Sequence, residues 1–264
     1  MKKTLAVLGA GRMGHAIAHA LIARKILQPR QLVMADPLSA QRRRAAALGC
    51  AVTADAALAA SQAASILLAV KPQKVEEVAA RIRLAVRGKR VVSILAGTTR
   101  ARLRQLLPGA RIVRVMPNTP LLVGSGATAI ARDGVAPEDL RFAVRLFEPM
   151  GRVWKVQEKW MNGITALSGS GPALVCAFLE ACIAAAGKNG LPPELSEELG
   201  LQTLAGTAAL LRSGGLTPAQ LREMVTSPGG TTEAALRVFA RRRLPGLVEA
   251  AIRSAVRRGA ELSR

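Results

Sequence analysis

Short runs of Val, Ile, Leu and Ala alternate with longer Ala- and Arg-rich stretches through the first 156 residues. The apolar runs Leu5–Leu8, Gln31–Ala35, Ser65–Val70, Val91–Leu95 and Arg111–Met116 are too short for helices, and their continuous apolarity suits strands covered on both faces. Helical stretches between them predict a parallel sheet flanked by helices. Ala127–Ala131 and Arg152–Val156 are further strand candidates at its edge, and after Val156 the strand pattern stops. Helices are predicted over Lys159–Leu167, Pro172–Lys188, Pro193–Arg212, Pro218–Val225, Thr231–Arg241 and Leu247–Leu262, with breaks at Pro192-Pro193, Gly214-Gly215 and Pro245-Gly246. The chain therefore divides into an α/β domain over 1–157 and an all-helical domain over 158–264. Several of the later helices, above all 172–187, are apolar on nearly every side. A helical unit of this size cannot bury that surface alone, which predicts burial against a second copy.

Gly9, Gly11 and Gly14 form G-x-G-x-x-G directly after the first strand and at the start of a helix, and Asp36 ends the next strand. This context marks a doubly wound, Rossmann-type dinucleotide-binding sheet: tight turn, close approach of the pyrophosphate, and close helix–strand packing. Arg12 and Met13 open the helix against that pyrophosphate. A carboxylate at Asp36 accepts hydrogen bonds from a ribose diol and repels a 2'-phosphate, which argues for NADH, while Arg42, Arg43 and Arg44 can offset that repulsion and keep NADPH open. The carboxyl ends of the fourth and fifth strands carry Ala69, Val70, Lys71, Ala96 and Gly97, expected to line the nicotinamide side.

Far from this motif, Met224–Leu236 reads MVTSPGGTTEAAL. Pro and two Gly ahead of two Thr and an Ala-rich run predict a tight turn feeding a helix N-terminus, a place suited to an anion.

Composition narrows the reading. The net charge is +21, with 27 of the 38 basic residues within 1–159, which invites a nucleic-acid partner. Aromatic residues make up only 2%, with no Tyr, so no stacking platform is available, and no zinc-finger or basic-zipper pattern occurs. No specific nucleic acid is expected, and the runs Arg42–Arg44 and Arg241–Arg243 are read as solvated helix faces. Cys50, Cys176 and Cys182 lack metal spacing and indicate a reduced, cytoplasmic chain; His15 and His19 have no third ligand nearby, so no metal is expected. MKKTLAVLGAG mimics a signal peptide, but Arg12 interrupts its apolar run. The longest uncharged apolar stretch falls short of the roughly 20 residues of a membrane span, so no membrane partner is expected.

The blocks Gly9-Ala10-Gly11-Arg12-Met13-Gly14, Ala69-Val70-Lys71-Pro72-Gln73, Val115-Met116-Pro117-Asn118-Thr119-Pro120, Ala166-Leu167-Ser168-Gly169-Ser170-Gly171-Pro172-Ala173 and Val225-Thr226-Ser227-Pro228-Gly229-Gly230-Thr231-Thr232 occur in order over nearly the whole chain. Together they resemble the pyrroline-5-carboxylate reductase family. The resemblance implies reduction of 1-pyrroline-5-carboxylate to proline with NADPH or NADH. It also implies a homodimer interlocked through the C-terminal helices, often extended to a ring of dimers. It further implies that Ser227, Gly229, Gly230, Thr231 and Thr232 hold the substrate, its carboxylate on the turn and its ring nitrogen at Thr232, the catalytic candidate. Ser168 and Ser170 are read as permitting close backbone packing beneath the site. The active site is expected in the cleft between the domains, drawing on one chain or two. The family's frequent asparagine after the third strand is missing from Thr53-Ala54-Asp55-Ala56, which bears on cofactor preference. Two other readings compete: a dehydrogenase of the 3-hydroxyacid type, which needs a basic residue on a C-terminal helix where only Lys188 is available, and a non-catalytic nucleotide- or nucleic-acid-binding protein.

Overall fold

The structure is a computed structural model that describes residues 3–262. Eight strands form one sheet in the order β3-β2-β1-β4-β5-β6-β7-β8: β1 (Lys3–Leu8), β2 (Leu32–Ala35), β3 (Ala51–Thr53), β4 (Ala63–Leu68), β5 (Arg90–Ser93), β6 (Arg111–Met116), β7 (Gly126–Ala131) and β8 (Gly151–Val156). All neighbours are parallel except β6 and β7, which pair antiparallel through Val115 with Ile130 and Met116 with Ala129. The order reverses between β1 and β4, the switch point at which doubly wound sheets leave a crevice. The two candidate edge strands are present.

Helices α1 (Arg12–Ala23), α2 (Ser39–Ala46), α3 (Ala56–Gln62), α4 (Val75–Ile82), α5 (Arg100–Leu106) and α6 (Pro137–Phe147) connect the strands. Alternation within a strand supplies both faces of the sheet with core. In β1, Leu5 and Val7 pack with Ile17, Leu21, Met34 and Phe147, while Ala6 and Leu8 pack with Val33, Ile66, Ile82 and Leu103.

Two strands end earlier than the apolar runs suggest. The β4 ladder closes at Leu68, opposite Leu8 and Ser93, so Ala69 and Val70 lie in the following turn. The fifth run likewise stops at Ser93.

After β8 the chain is helical: α7 (Met161–Ile164), a wide π turn at Thr165–Gly169, α8 (Gly171–Lys188), α9 (Pro193–Ser213), α10 (Pro218–Met224), α11 (Thr231–Arg241) and α12 (Leu244–Glu261). Pro245-Gly246 is not a break. Proline fits the first turn of α12 because its missing N–H would have had no partner there. The break lies instead at Arg243, whose φ is +53°, so Arg242 and Arg243 form a turn rather than a helix face.

Chain contacts define two compact units, Met1–Pro172 with Ile252–Arg264, and Ala173–Ala251. Helix α8 buries none of its residues within the single chain, and Leu174, Val175, Phe178, Leu199 and Leu201 are all exposed. The joined helical run Glu158–Lys188 is long and apolar enough to meet the length-and-composition criterion for a membrane span, although Glu180 lies within it.

Candidate active site

The first turn is built as its glycines predict. A Cβ on Gly14 would overlap the carbonyl oxygen of Gly9, and one on Gly9 would lie 2.6 Å from the Ala69 oxygen, so turn, helix and β4 end can approach only without side chains. Gly11 differs, because a Cβ there meets nothing within 4 Å: this position opens to solvent. Gly11 is the N-cap of α1 and offers no side-chain cap, and the first intrahelical bond runs from His15 N–H to the Gly11 oxygen at 2.9 Å. The amides of Arg12, Met13 and Gly14 are thus the orphan donors of a helix start. Open space above free amides at the positive end of a twelve-residue helix fits a diphosphate.

Asp36 is only 9% exposed. Its Oδ2 accepts from Ala10 N–H at 2.9 Å and its Oδ1 from Leu38 N–H at 2.9 Å, tying the first turn to the loop after β2. Arg42 lies over the same loop, its Nη1 donating to the carbonyls of Asp36 at 2.8 Å and Pro37 at 2.7 Å. The guanidinium is therefore held on the backbone of the Asp36–Pro37 loop rather than on a solvated helix face, while Arg43 and Arg44 are exposed. Asp55, in the segment lacking the family's asparagine, caps α3 by accepting from Ala57 and Leu58.

Ala69, Val70 and Ala96 are partly exposed and Lys71 is exposed; all four follow the ends of β4 and β5. Gly97 is buried with φ +77°, a backbone conformation that excludes most side chains.

Beneath these turns the remaining motifs interlock. Asn118 donates through Nδ2 to both the carbonyl and hydroxyl oxygens of Ser168, at 3.3 Å each, and accepts at Oδ1 from Ala127 N–H at 2.8 Å. A Cβ on Gly169 would fall 2.5 Å from the Met116 methyl carbon. Ser168 and Gly169 thus serve packing, in keeping with the reading of that block.

A buried charge cluster lies nearby, with Arg100 and Arg114 4% and 3% exposed. Glu158 accepts the Arg100 backbone N–H at 2.7 Å and faces Arg114 Nη1 at 3.4 Å. Burial pushes both guanidinium pKa values down, and Glu158 acts against that shift.

In the other unit, the N-cap residue of α11 likewise makes no side-chain cap hydrogen bond. Gly230 is the N-cap, Gly229 has φ +73°, and Gly230 N–H donates to the Ser227 oxygen at 3.1 Å. Ala234 N–H makes the first intrahelical bond, to the Gly230 oxygen, which leaves the amides of Thr231, Thr232 and Glu233 as orphan donors. Ser227 and Thr231 are exposed and Thr232 half-buried. Glu233, which sequence reasoning missed, accepts from Gly229 N–H at 2.7 Å, so one amide assigned to the substrate already holds a carboxylate of the chain. The signal was legible: a Glu at the third helical position reaches back to cap its own turn.

Lys188, needed by the hydroxyacid reading, is the exposed last residue of α8.

Comparison with known proteins agrees with these blocks. Residues 158–262 match the family described as pyrroline-5-carboxylate reductase dimerisation, and residues 4–97 match NADP oxidoreductase coenzyme F420-dependent. A pyrroline-5-carboxylate reductase of Synechocystis sp. is 38% identical over 266 residues, covering 100% of both chains, and one from Glycine max is 36% identical, covering 98% and 96%. Among solved structures, pyrroline carboxylate reductase of Plasmodium falciparum with NADP bound superimposes with a TM-score of 0.91 at 29% identity, covering 99% and 98%. That of Coxiella burnetii gives 0.87 at 32% identity, covering 100% of both.

Proposed function

The chain belongs to the pyrroline-5-carboxylate reductase family, and from that premise we propose that it reduces 1-pyrroline-5-carboxylate to L-proline with NADPH or NADH, as a self-associating enzyme of the cytoplasm. The observation that carries the substrate assignment is the uncapped start of α11, where a glycine turn presents three unpaired amides beside two threonine hydroxyls. An imine ring with a single carboxylate matches that donor set.

Gly9, Gly11, Arg12, Met13 and Gly14 hold the diphosphate of the cofactor. Asp36 and Arg42 face its adenosine ribose, and Ala69, Val70, Lys71, Ala96 and Gly97 lie toward its nicotinamide. A reduced nicotinamide, when bound, supplies the hydride. The hydroxyls of Ser227 and Thr231 and the free amides that open α11 take the substrate carboxylate, Gly229 and Gly230 shape the turn that admits it, and Thr232 orients the ring nitrogen. Hydride adds to the imine carbon, the C=N π pair passes to nitrogen, and the proton needed there comes from solvent or is already present as the iminium. Positioning is then the main catalytic device. Arg42, beside Asp36, favours acceptance of a 2'-phosphate and hence of NADPH.

Residues 1–157 are assigned to the cofactor and 158–264 to substrate and self-association. The exposed apolar side chains of α8 and α9 form the dimer surface, and a ring of dimers is the proposed larger assembly. The proposal takes the excess positive charge to be solvated, with no nucleic acid or membrane among its partners.

The test is direct: purified protein, the imine and either reduced cofactor, with loss of nicotinamide absorbance followed. Turnover dependent on the imine is expected. Absence of turnover with both cofactors, together with salt-sensitive DNA binding, would replace the reading by a binding protein.

A further inference from the structure

We propose that the turn Gly259–Leu262 at the end of α12 is a positioning element for the β5–α5 turn and, through it, for the nicotinamide end of the site; this rests on the reductase reading above. The turn between Ser93 and Arg100 is pinned at both ends. Ile94 N–H donates to the Leu68 oxygen at 3.1 Å, and Arg100 N–H donates to Glu158 at 2.7 Å. Its middle meets the end of α12: a Cβ on Gly97 would lie 2.6 Å from the Leu262 Cβ and 2.7 Å from the Gly259 oxygen. The end of α12 is thus in direct contact with the left-handed Gly97, and a side chain at 97 is excluded by the tail as well as by the backbone.

Three further observations make this contact a built feature. Gly259 is buried against Asn162, whose Oδ1 accepts from buried Arg114 at 3.2 Å, so the tail rests on the same charge cluster that anchors Arg100. Leu262 also lines a cavity of about 300 Å3 together with Pro72, Gln73, Glu76, Thr98 and Arg102. The cavity walls come from the segment after Lys71, from α4 and α5, from Thr98 in the β5–α5 turn and from Leu262. Finally, Thr98 is 2% exposed and its hydroxyl oxygen meets no hydrogen-bond partner among the described residues, so packing contributes to its placement.

A shift of about 1 Å in a group that orients reactants can cost about a hundredfold in rate. Leu262→Ala leaves the Cβ against Gly97 in place and strips the rest of the side chain, which walls the cavity beside Thr98, without touching cofactor or substrate. We expect turnover to fall by about tenfold or more, amide exchange in the peptide 94–100 to rise, and the affinity for 2',5'-ADP, which binds only at the adenosine end, to stay within about twofold. Fluorescence titration with NADPH should show weaker binding or lower emission of the reduced ring. Leu262→Met, similar in volume, should restore all three quantities. Unchanged turnover and exchange in Leu262→Ala would overturn the proposal. So would equal loss of 2',5'-ADP and NADPH binding, the mark of a general structural role. If the parent protein failed to reduce the imine, the function would be wrong, while exchange at 94–100 and NADPH fluorescence would still decide whether the tail holds the turn.

Discussion

Replacing Thr232 by Ala separates chemistry from folding, because the structure gives the hydroxyl no internal duty. Among the described residues it meets no hydrogen-bond partner, and Thr232 is the second residue of α11 rather than its N-cap. Loss of the hydroxyl should leave stability unchanged or raise it, since Ala exceeds Thr in helix propensity by up to about 0.7 kcal/mol. The melting temperature should then move by no more than about 1–3 °C. A hydrogen bond from this hydroxyl to a ring nitrogen that changes charge is worth about 1.5–3 kcal/mol. At about 1.4 kcal/mol per decade this is a loss of about 10- to 150-fold in kcat/KM for the imine. The assay combines steady-state kinetics over both substrates with fluorescence titration of NADPH in the absence of imine. Titration should give the parent Kd. Equal loss of nucleotide affinity and turnover, or full activity, would refute the assignment of Thr232 to the nitrogen.

Arg42→Ala should lower kcat/KM for NADPH by about tenfold, the worth of a charge-assisted hydrogen bond, and leave NADH nearly unchanged; an unaltered ratio would remove Arg42 from the ribose site. Glu158→Ala strips the shared carboxylate from two buried guanidinium groups. Breaking a buried pair costs about 3–5 kcal/mol, and as Glu158 keeps 24% of its side chain exposed the lower end applies, so thermal unfolding should fall by roughly 6–12 °C. A shift below about 2 °C would show the cluster to be hydrated and weak. Phe178→Asp should convert the sedimenting species to monomer, because it puts a charge within an apolar helix surface; an unchanged mass would place the dimer surface elsewhere.

The sheet was legible because seven of its strands advertise themselves as apolar runs. The eighth, Ala51–Thr53, has three residues and no such run, and it exists because Val33, Met34 and Ala35 give it a parallel ladder to join. Strand ends were less legible. Nothing in Ala69-Val70 differs chemically from Ile66-Leu67-Leu68; where the ladder stops is decided by the partner strands. The glycine turns were legible because their residue types admit few other conformations. Four contributors near the candidate site had no role assigned from sequence: Glu158, Asn118, which stands in a recognised block, and Leu262 meet their partners across long sequence separations, while Glu233 needed only local capping logic. Asp36, expected to end the second strand, lies one residue past β2, and a pattern of letters cannot show both its oxygens engaged by backbone amides with Arg42 on the same loop.

The π turn at Thr165–Gly169, closed by Ser170 N–H on the Thr165 oxygen at 2.8 Å, works as a phase setting for α8, which starts directly after it. One surplus residue in a helical turn rotates all later side chains by about 100° around the axis. Deleting a single residue there would keep the composition of α8 almost intact and yet swing Leu174, Val175 and Phe178 to a different compass bearing. A chain altered by one residue here would present a different stripe of α8 to a partner seated on the surface proposed for self-association.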